Sequence, residues 1–248
     1  MKSLGLAAAL AAAILAAAAP ARAEGIDMLL VLAADVSRSI DDGEFDLQRK
    51  GYAAALSDPK VLAAITAGPN RAISLSYIEW SGPNDQKIVV EWTTIRDGEG
   101  AATVAAAILA APRSFVGRTS ISSAIDFSAE YFAAASPSAS KRVIDISGDG
   151  NSNSGRPIAD ARDQAVAAGI TINGLAIINT KASPGFLAHT QPPGGLPNYY
   201  KENVIGGPGA FLMVVENFDT FADAMTRKLV SEIAGRPAAA HTASLKPF

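Results

Sequence analysis

Apolar segments of two kinds alternate along the chain. Residues 26–34 (IDMLLVLAA) are almost continuously apolar, which is typical of a central strand that is buried on both faces. Residues 41–56 instead carry apolar side chains at helical spacing, with acidic residues in the first turn, where the helix dipole favours negative charge. The same two patterns predict further strands at 72–80, 87–95, 142–147, 171–178 and 210–215, and further helices at 101–110, 120–134, 157–168 and 217–233.

This alternation of strands and helices predicts an α/β fold. We expect an open, doubly wound, mostly parallel six-stranded sheet with helices on both faces. One edge strand is expected to be antiparallel, because the Gly-Pro-Asn-Asp sequence within the turn 81–86 favours a hairpin between the two strands that flank it. Residues 179–209, which are rich in proline and glycine, are predicted to form a long loop.

The first 23 residues have the pattern of a secretory signal peptide. Lys2 precedes a run of small apolar residues from 4 to 19, Pro20 ends that run, and Ala21-Arg22-Ala23 matches a cleavage site. The run is shorter than the roughly 20 residues that a membrane-spanning helix needs, which weakens the alternative of a retained anchor. We therefore expect a periplasmic or secreted protein with no membrane span after cleavage.

Three segments follow from these patterns. We expect a signal peptide at 1–23, one folded domain at 24–234 and a flexible tail at 235–248.

The composition excludes several classes of protein. The chain of 248 residues is 49% hydrophobic and 18% charged, which suits a folded domain and not a disordered chain. It has no cysteine, so disulfides, thiolate metal sites and a cysteine nucleophile are excluded. The two histidines, His189 and His241, are too few for a histidine-rich zinc or copper centre. The formal net charge of −3 argues against nucleic acid as a partner.

Polar side chains gather where predicted strands end. Asp35-Val36-Ser37-Arg38-Ser39 follows the first strand, Gly117-Arg118-Thr119-Ser120 precedes a helix, and Asp149-Gly150 follows the strand at 142–147. Ligands of open α/β sheets bind at the carboxyl ends of the strands. Carboxylate and hydroxyl oxygens are hard ligands, which suit Mg²⁺, Mn²⁺ or Ca²⁺ better than zinc or copper. The three segments therefore predict a site for a divalent cation.

In their order and setting, Asp35, Ser37, Ser39, Thr119 and Asp149 resemble the metal-ion-dependent adhesion site (MIDAS) of von Willebrand factor type A (VWA) domains. The resemblance extends over most of the chain. It implies that the three hydroxyls bind the cation and that the two carboxylates bind it directly or through water. It also implies Mg²⁺ as the favoured ion, with Mn²⁺ and Ca²⁺ as alternatives, and an open position for an Asp or Glu carboxylate of a protein partner.

The chain also resembles an uncharacterised bacterial subfamily of these domains, to which no activity is assigned. The resemblance is carried by Glu79-Trp80, Gly148-Asp149-Gly150, Ile172-Asn173-Gly174-Leu175-Ala176 and Val204-Ile205-Gly206-Gly207-Pro208-Gly209-Ala210-Phe211.

Simpler interpretations of the same residues stay open. Ser37 and Ser39 could cap the helix that begins near residue 41, and Thr119 or Ser120 could cap the next one. Asp149-Gly150 could be only a turn at the end of a strand. A calcium loop of EF-hand type is a further alternative, although a predicted strand precedes it where that motif has a helix. Its ligands would be Asp149, Asn151, Asn153 and Asp160.

The resemblance favours an exported, non-enzymatic VWA-like domain that binds a divalent cation and, through it, an acidic group of a protein partner. A hydrolase that uses the same ion to activate water is an alternative, with Glu79 or Asp145 as candidate bases. Another alternative is a structural module in which the ion only stabilises the fold. Two smaller features also have two interpretations. Arg38 could steer an acidic ligand or be an ordinary exposed arginine, and Tyr199-Tyr200 could form a contact surface or pack onto the domain.

Overall fold

The computed structural model describes residues 25–136, 138–178 and 192–235. Its centre is one six-stranded sheet in the order β3-β2-β1-β4-β5-β6. The strands are β1 (Met28–Asp35), β2 (Ile73–Trp80), β3 (Gln86–Ile95), β4 (Arg142–Gly148), β5 (Ile170–Ile177) and β6 (Leu212–Val215). All neighbouring pairs are parallel except β2 and β3, which pair antiparallel. The predicted α/β fold, with one antiparallel edge strand, is confirmed.

Helices cover both faces of this sheet. They are α1 (Asp42–Leu56), α2 (Pro59–Thr66), α3 (Gly98–Ala110), α4 (Ile121–Tyr131), α5 (Ile158–Ala167), α6 (Leu196–Tyr199) and α7 (Phe221–Ala234). Residues from α1, α2, α3 and α7 form one apolar layer, and residues from α4, α5 and α6 form the other.

Strand β1 lies at the centre because it is apolar on both faces. All eight of its residues are buried. Leu30 and Leu32 pack in the layer of α1, while Val31 and Ala33 pack in the layer of α4. Burying a leucine side chain contributes about 1.5–3 kcal/mol, so this strand is a large part of the core. The strand fixes Asp35, its last residue, at the middle of the carboxyl edge of the sheet.

Helix α1 begins with a reciprocal cap that excludes one of the simpler interpretations of the serines. The Asp41 carboxylate accepts a hydrogen bond from the Glu44 backbone N–H at 2.8 Å, and the Glu44 carboxylate accepts one from the Asp41 N–H at 2.9 Å. Asp41 is thus the cap residue of α1. Ser37 and Ser39 are not needed for that purpose.

Two described segments differ from the sequence prediction. Helix α2 was not predicted, although Asp58 caps its first turn and Pro59 occupies a position that suits proline. The expected loop at 179–209 contains α6 and a π-helical turn, Tyr200–Val204. Residues 179–191 of that loop lie outside the described part of the chain, as do the predicted signal peptide, all but the first residue of the predicted tail, and both histidines.

Among the residues that the structure describes, no helix has the length and apolar character needed to cross a membrane.

Candidate functional site

The loop after β1 turns back on its own aspartate. The Ser37 backbone N–H donates to Asp35 Oδ1 at 2.7 Å, which holds the carboxylate at the start of the loop. Asp35 is fully buried and Ser37 is 1% exposed. The N–H of Arg38, between the two serines, donates to the Gly117 carbonyl at 3.0 Å. The first predicted segment is therefore joined directly to the second.

Side-chain oxygens connect this loop to the end of β4. Ser37 Oγ lies 3.2 Å from Ser39 Oγ, and Ser39 Oγ donates to Asp149 Oδ1 at 2.7 Å. Asp149 is fully buried, directly after the last residue of β4. Four of the five predicted ligands thus form a continuous series of contacts from Asp35 to Asp149, although the two aspartates are 114 positions apart in the chain.

Thr119 is held beside the other two loops through its backbone. Its N–H donates to Asn153 Oδ1 at 3.1 Å, and its carbonyl accepts from the Asn153 N–H at 2.9 Å. The Ser154 hydroxyl donates to the same carbonyl at 3.1 Å. Thr119 is buried, with 6% of its surface exposed. These bonds bring the loop of Thr119 against the loop of Asp149, while the role of its hydroxyl as a ligand stays a prediction.

The electrostatics of the cluster are unfavourable for an isolated pair of carboxylates. Burial raises the pKa of Asp35 well above its usual value, and the neighbouring Asp149 carboxylate raises it further. Hydrogen bonds from Ser37 and the charge of Arg113 act in the opposite direction and do not offset these effects. Asp35 Oδ2 is buried and has no hydrogen-bond partner among the described residues. Both observations fit a carboxylate that a cation would stabilise.

Sequence reasoning missed Arg113, which clamps the loop after β1. Its Nη2 donates to the carbonyl oxygens of Val36, Ser37 and Ile40 at 2.9, 3.0 and 2.8 Å. Its Nη1 forms an ion pair with Asp42 at 3.2 Å. No pattern in the sequence indicates that an arginine after a helix donates to three backbone carbonyls elsewhere in the chain.

The other simpler interpretations are weakened by particular contacts. Ser120 stands at the start of α4, but its side chain makes no capping bond to the helix backbone. In the EF-hand alternative, Asn153 Oδ1 would have to bind calcium, whereas it already accepts from Thr119. Asp160 is an exposed residue in the first turn of α5, and the strand β4 precedes the loop.

The two candidate catalytic bases are engaged elsewhere. Glu79 is fully buried and its Oε1 lies 2.6 Å from Arg49 Nη2. Asp145 is fully buried and its Oδ1 lies 2.7 Å from Lys228 Nζ. Both carboxylates are therefore held by buried cationic side chains, which leaves the hydrolase alternative without a free base from either of them.

Across the described ranges, no three His, Cys, Asp or Glu side chains come together in a way that could hold a metal ion. The candidate site instead combines two carboxylates with hydroxyl groups. Such a set supplies hard oxygen ligands, so these residues fit a divalent cation of the magnesium or calcium type.

The strand order, the helices on both faces and the three loops at the carboxyl edge define a VWA-type α/β domain. Within that class, the chain belongs to the family described as a protein of unknown function, DUF1194, which matches residues 25–237. No curated protein matches the sequence.

Solved structures with the same fold have low sequence identity to the chain. One is proximal thread matrix protein 1 from the mussel byssus with a zinc-occupied MIDAS motif, at 15% identity and a TM-score of 0.61. The match covers 84% of this chain and 48% of the mussel chain, so it spans about half of that protein.

Two bacterial structures are also similar. A von Willebrand factor type A protein from Catenulispora acidiphila has 15% identity and a TM-score of 0.55, over 84% of this chain and 43% of that one. The conserved hypothetical protein BatB from Bacteroides thetaiotaomicron has 17% identity and a TM-score of 0.54, over 85% of this chain and 99% of that one.

Proposed function

We propose that this protein is an exported, non-enzymatic binding module that holds a divalent cation at Asp35, Ser37, Ser39, Thr119 and Asp149. Through that cation it binds an acidic group of a protein partner. The observation that carries the proposal is the series of hydrogen-bonding contacts from Asp35 through Ser37 and Ser39 to Asp149. Two buried carboxylates close together destabilise each other, and a divalent cation between the loops would neutralise both.

Mg²⁺ is the expected ion, with Mn²⁺ and Ca²⁺ as alternatives, because the site offers carboxylate and hydroxyl oxygens. The mussel protein has been solved with zinc in its MIDAS motif, so Zn²⁺ is included in the test. When bound, the ion would supply a Lewis-acidic position that attracts a carboxylate. Asp35 and Asp149 would provide the negative charge, and the three hydroxyls would provide neutral oxygens.

The rim of the site supports an acidic partner. Arg38 and Arg118 each adjoin a proposed ligand in the sequence, and both are exposed. Neither forms an ion pair within the described part of the chain. Exposed cationic groups beside a binding site steer anionic partners and accelerate association. Export is proposed from the signal-peptide pattern of residues 1–23.

Calorimetry of metal-stripped protein with Mg²⁺, Mn²⁺, Ca²⁺ and Zn²⁺ tests the cation site. We expect binding of one ion per chain, abolished by Asp35→Ala. Asp163→Ala is the matched control, because it removes a carboxylate that is 69% exposed and that pairs with the neighbouring Arg162. A folded wild-type protein that gives no heat with any of the four ions, with or without millimolar acetate, would refute the proposal.

Acetate separates the binding module from the structural alternative. If one coordination position is open, acetate is expected to bind there and to tighten the metal affinity. If protein groups close the whole coordination sphere, acetate leaves the affinity unchanged, and the ion then serves the fold alone.

A further inference from the structure

Tyr200, in the π-helical turn after α6, has a side chain that borders the candidate site. It is fully buried, and its hydroxyl has no hydrogen-bond partner among the described residues. Asp35 Oδ2 shares both properties. Leaving a buried polar atom without a partner costs about 1–3 kcal/mol, so two such atoms near each other point to a shared role.

Two glycines make room for this side chain across neighbouring strands. A Cβ on Gly174, in β5, would lie 3.1 Å from the Tyr200 ring. A Cβ on Gly148, at the end of β4, would lie 2.6 Å from the Tyr200 hydroxyl and 3.0 Å from Asp35 Oδ2. The tyrosine therefore crosses β5 and β4 over two positions without side chains. Its hydroxyl and the Asp35 carboxylate border the same small space beside Gly148.

The preceding tyrosine fixes the same segment to the Asp149 loop. The Tyr199 hydroxyl accepts a hydrogen bond from the Ser152 N–H at 3.1 Å. Tyr199 thus contacts Ser152 within that loop, and the Tyr200 hydroxyl lies beside Gly148, where the loop begins. π-Helical turns are rare and are often found at functional sites.

The surroundings of Tyr200 favour a hydrogen-bond donor. A phenol hydroxyl is an O–H donor at neutral pH, because phenols ordinarily lose this proton only at about pH 10. The Tyr200 hydroxyl can therefore donate it in a hydrogen bond. A carboxylate oxygen is the acceptor that gains most from such a donor at low local polarity.

We propose that Tyr200 is a positioning residue of the cation site: when the ion is bound, its hydroxyl donates to Asp35 Oδ2, directly or through one water, and holds the carboxylate in its ligand orientation. This inference rests on the proposed function. Groups that orient metal ligands in this way commonly contribute about 10–100-fold to metal affinity.

The test compares two equally conservative variants by Mg²⁺ and Mn²⁺ calorimetry. Tyr200→Phe removes only the hydroxyl, and we expect it to weaken metal binding roughly tenfold or more. Tyr77→Phe is the matched control, because Tyr77 is also fully buried with no hydrogen-bond partner for its hydroxyl in the described structure, but it packs in the opposite layer. The metal affinity of Tyr77→Phe is expected to stay within about twofold of wild type, because substitutions far from a site usually have little effect on it.

A purely structural role for the hydroxyl would change stability and not affinity. The thermal midpoint of each metal-free variant is therefore measured beside its affinity. Tyr200→Phe with a lowered midpoint and wild-type Mg²⁺ affinity would overturn the inference. Gly148→Ala, which places a methyl group close to both oxygens, is the second variant. We expect Gly148→Ala to weaken metal binding too. The variant that combines Gly148→Ala with Tyr200→Phe should bind the metal little more weakly than the weaker-binding of the two single variants, because both changes disturb one interaction.

Failure of this inference differs from failure of the proposed function. If wild type binds an ion that Asp35→Ala abolishes, while Tyr200→Phe binds it as tightly as wild type, only the role of Tyr200 is wrong. If wild type binds no ion, both proposals are overturned.

Discussion

Asp35 and Asp145 are both fully buried aspartates with raised pKa values, yet their neighbours differ. Asp145 lies 2.7 Å from the buried ammonium of Lys228. Asp35 has a second carboxylate, Asp149, as the neighbour with the largest electrostatic effect on it. Both aspartates are therefore destabilised by burial and by a second carboxylate, which is Glu232 for Asp145. They differ in that a buried ammonium lies within ion-pair distance of Asp145, whereas the described part of the chain shows no ion pair to Asp35. That difference leaves Asp35 as the buried carboxylate that a bound cation would stabilise most.

The buried cluster around Asp145 predicts a dependence of stability on pH. Burial, followed by the charge of Glu232, raises the pKa of Asp145 to about 7, although Lys228 opposes the shift. Between about pH 4 and pH 7 the folded state therefore binds more protons than the unfolded state, and the free energy of unfolding falls as pH rises. Asp145→Asn is expected to remove this loss, which amounts to roughly 2–4 kcal/mol across the interval.

Urea unfolding at intervals of pH measures this effect. Asp46→Asn, at a carboxylate that is 66% exposed, is the control and should follow the wild-type profile. A constant difference between wild type and Asp145→Asn from pH 4 to pH 7 would contradict the prediction.

Residues differ in how far their roles can be predicted from the sequence. Asp35, Ser37 and Ser39 were predicted because they directly follow an apolar strand, and a strand end is a local signal. The partners of Arg113 lie more than 70 residues earlier in the chain, so that contact depends on the tertiary fold. Tyr200 was noted only as part of an aromatic pair, because its position below the site depends on the packing of two glycines from other strands.

At the scale of elements, the strands alone do not fix the loops at the carboxyl edge; side chains from other segments also bind them. Arg113 follows α3 and binds three carbonyls of the loop between β1 and α1. Its guanidinium also lies 5.2 Å from the ring of Phe45, on α1. The β1 loop therefore depends on a residue from a separate segment for its shape.

Removing this clamp is expected to loosen the β1 loop. Arg113→Met keeps a similar length of apolar side chain but leaves three carbonyls without their donor, and should destabilise the fold by about 2–4 kcal/mol. The Mg²⁺ affinity should fall with it, because the carbonyl of the proposed ligand Ser37 is one of the three that are released. Arg113→Lys keeps the charge and one donor position, and is expected to recover only part of both losses.

Chemical unfolding and calorimetry on the same two variants check the clamp. Wild-type stability and affinity in Arg113→Met would show that the strand ends alone fix the loop.

Elements with strong periodic patterns were predicted well, and short ones were not. The strands and the longer helices lie within a few residues of their predicted limits. Helix α2 has only eight residues and α6 only four, so neither contains enough turns to give a clear periodic signal. Helix α6 also carries Pro197 and lies in a segment rich in proline and glycine, which the sequence indicates as loop.

For the molecule as a whole, binding of the ion should raise the free energy of unfolding. A ligand that binds only the folded state stabilises it by about 2.7 kcal/mol at a concentration one hundred times its dissociation constant. We expect the thermal midpoint of wild type to rise with Mg²⁺ by several degrees. The midpoint of Asp35→Ala should not respond, and scanning calorimetry with and without chelator measures both. An equal rise in the two proteins would mean that the ion acts somewhere other than the carboxyl edge.

Helix α7 runs back along the sheet, and its last turn is fixed at the amino edge. Lys141, just before β4, donates from its Nζ to the carbonyl of Glu232 at 2.5 Å. The N–H of Leu29, near the start of β1, donates to the Lys141 carbonyl at 2.9 Å. Gly25 and Gly235, the first and last described residues, are therefore near the edge opposite Asp35 and Asp149. A protein tethered to a sensor surface at either of these positions would present its carboxyl edge outward, toward whatever flows past it.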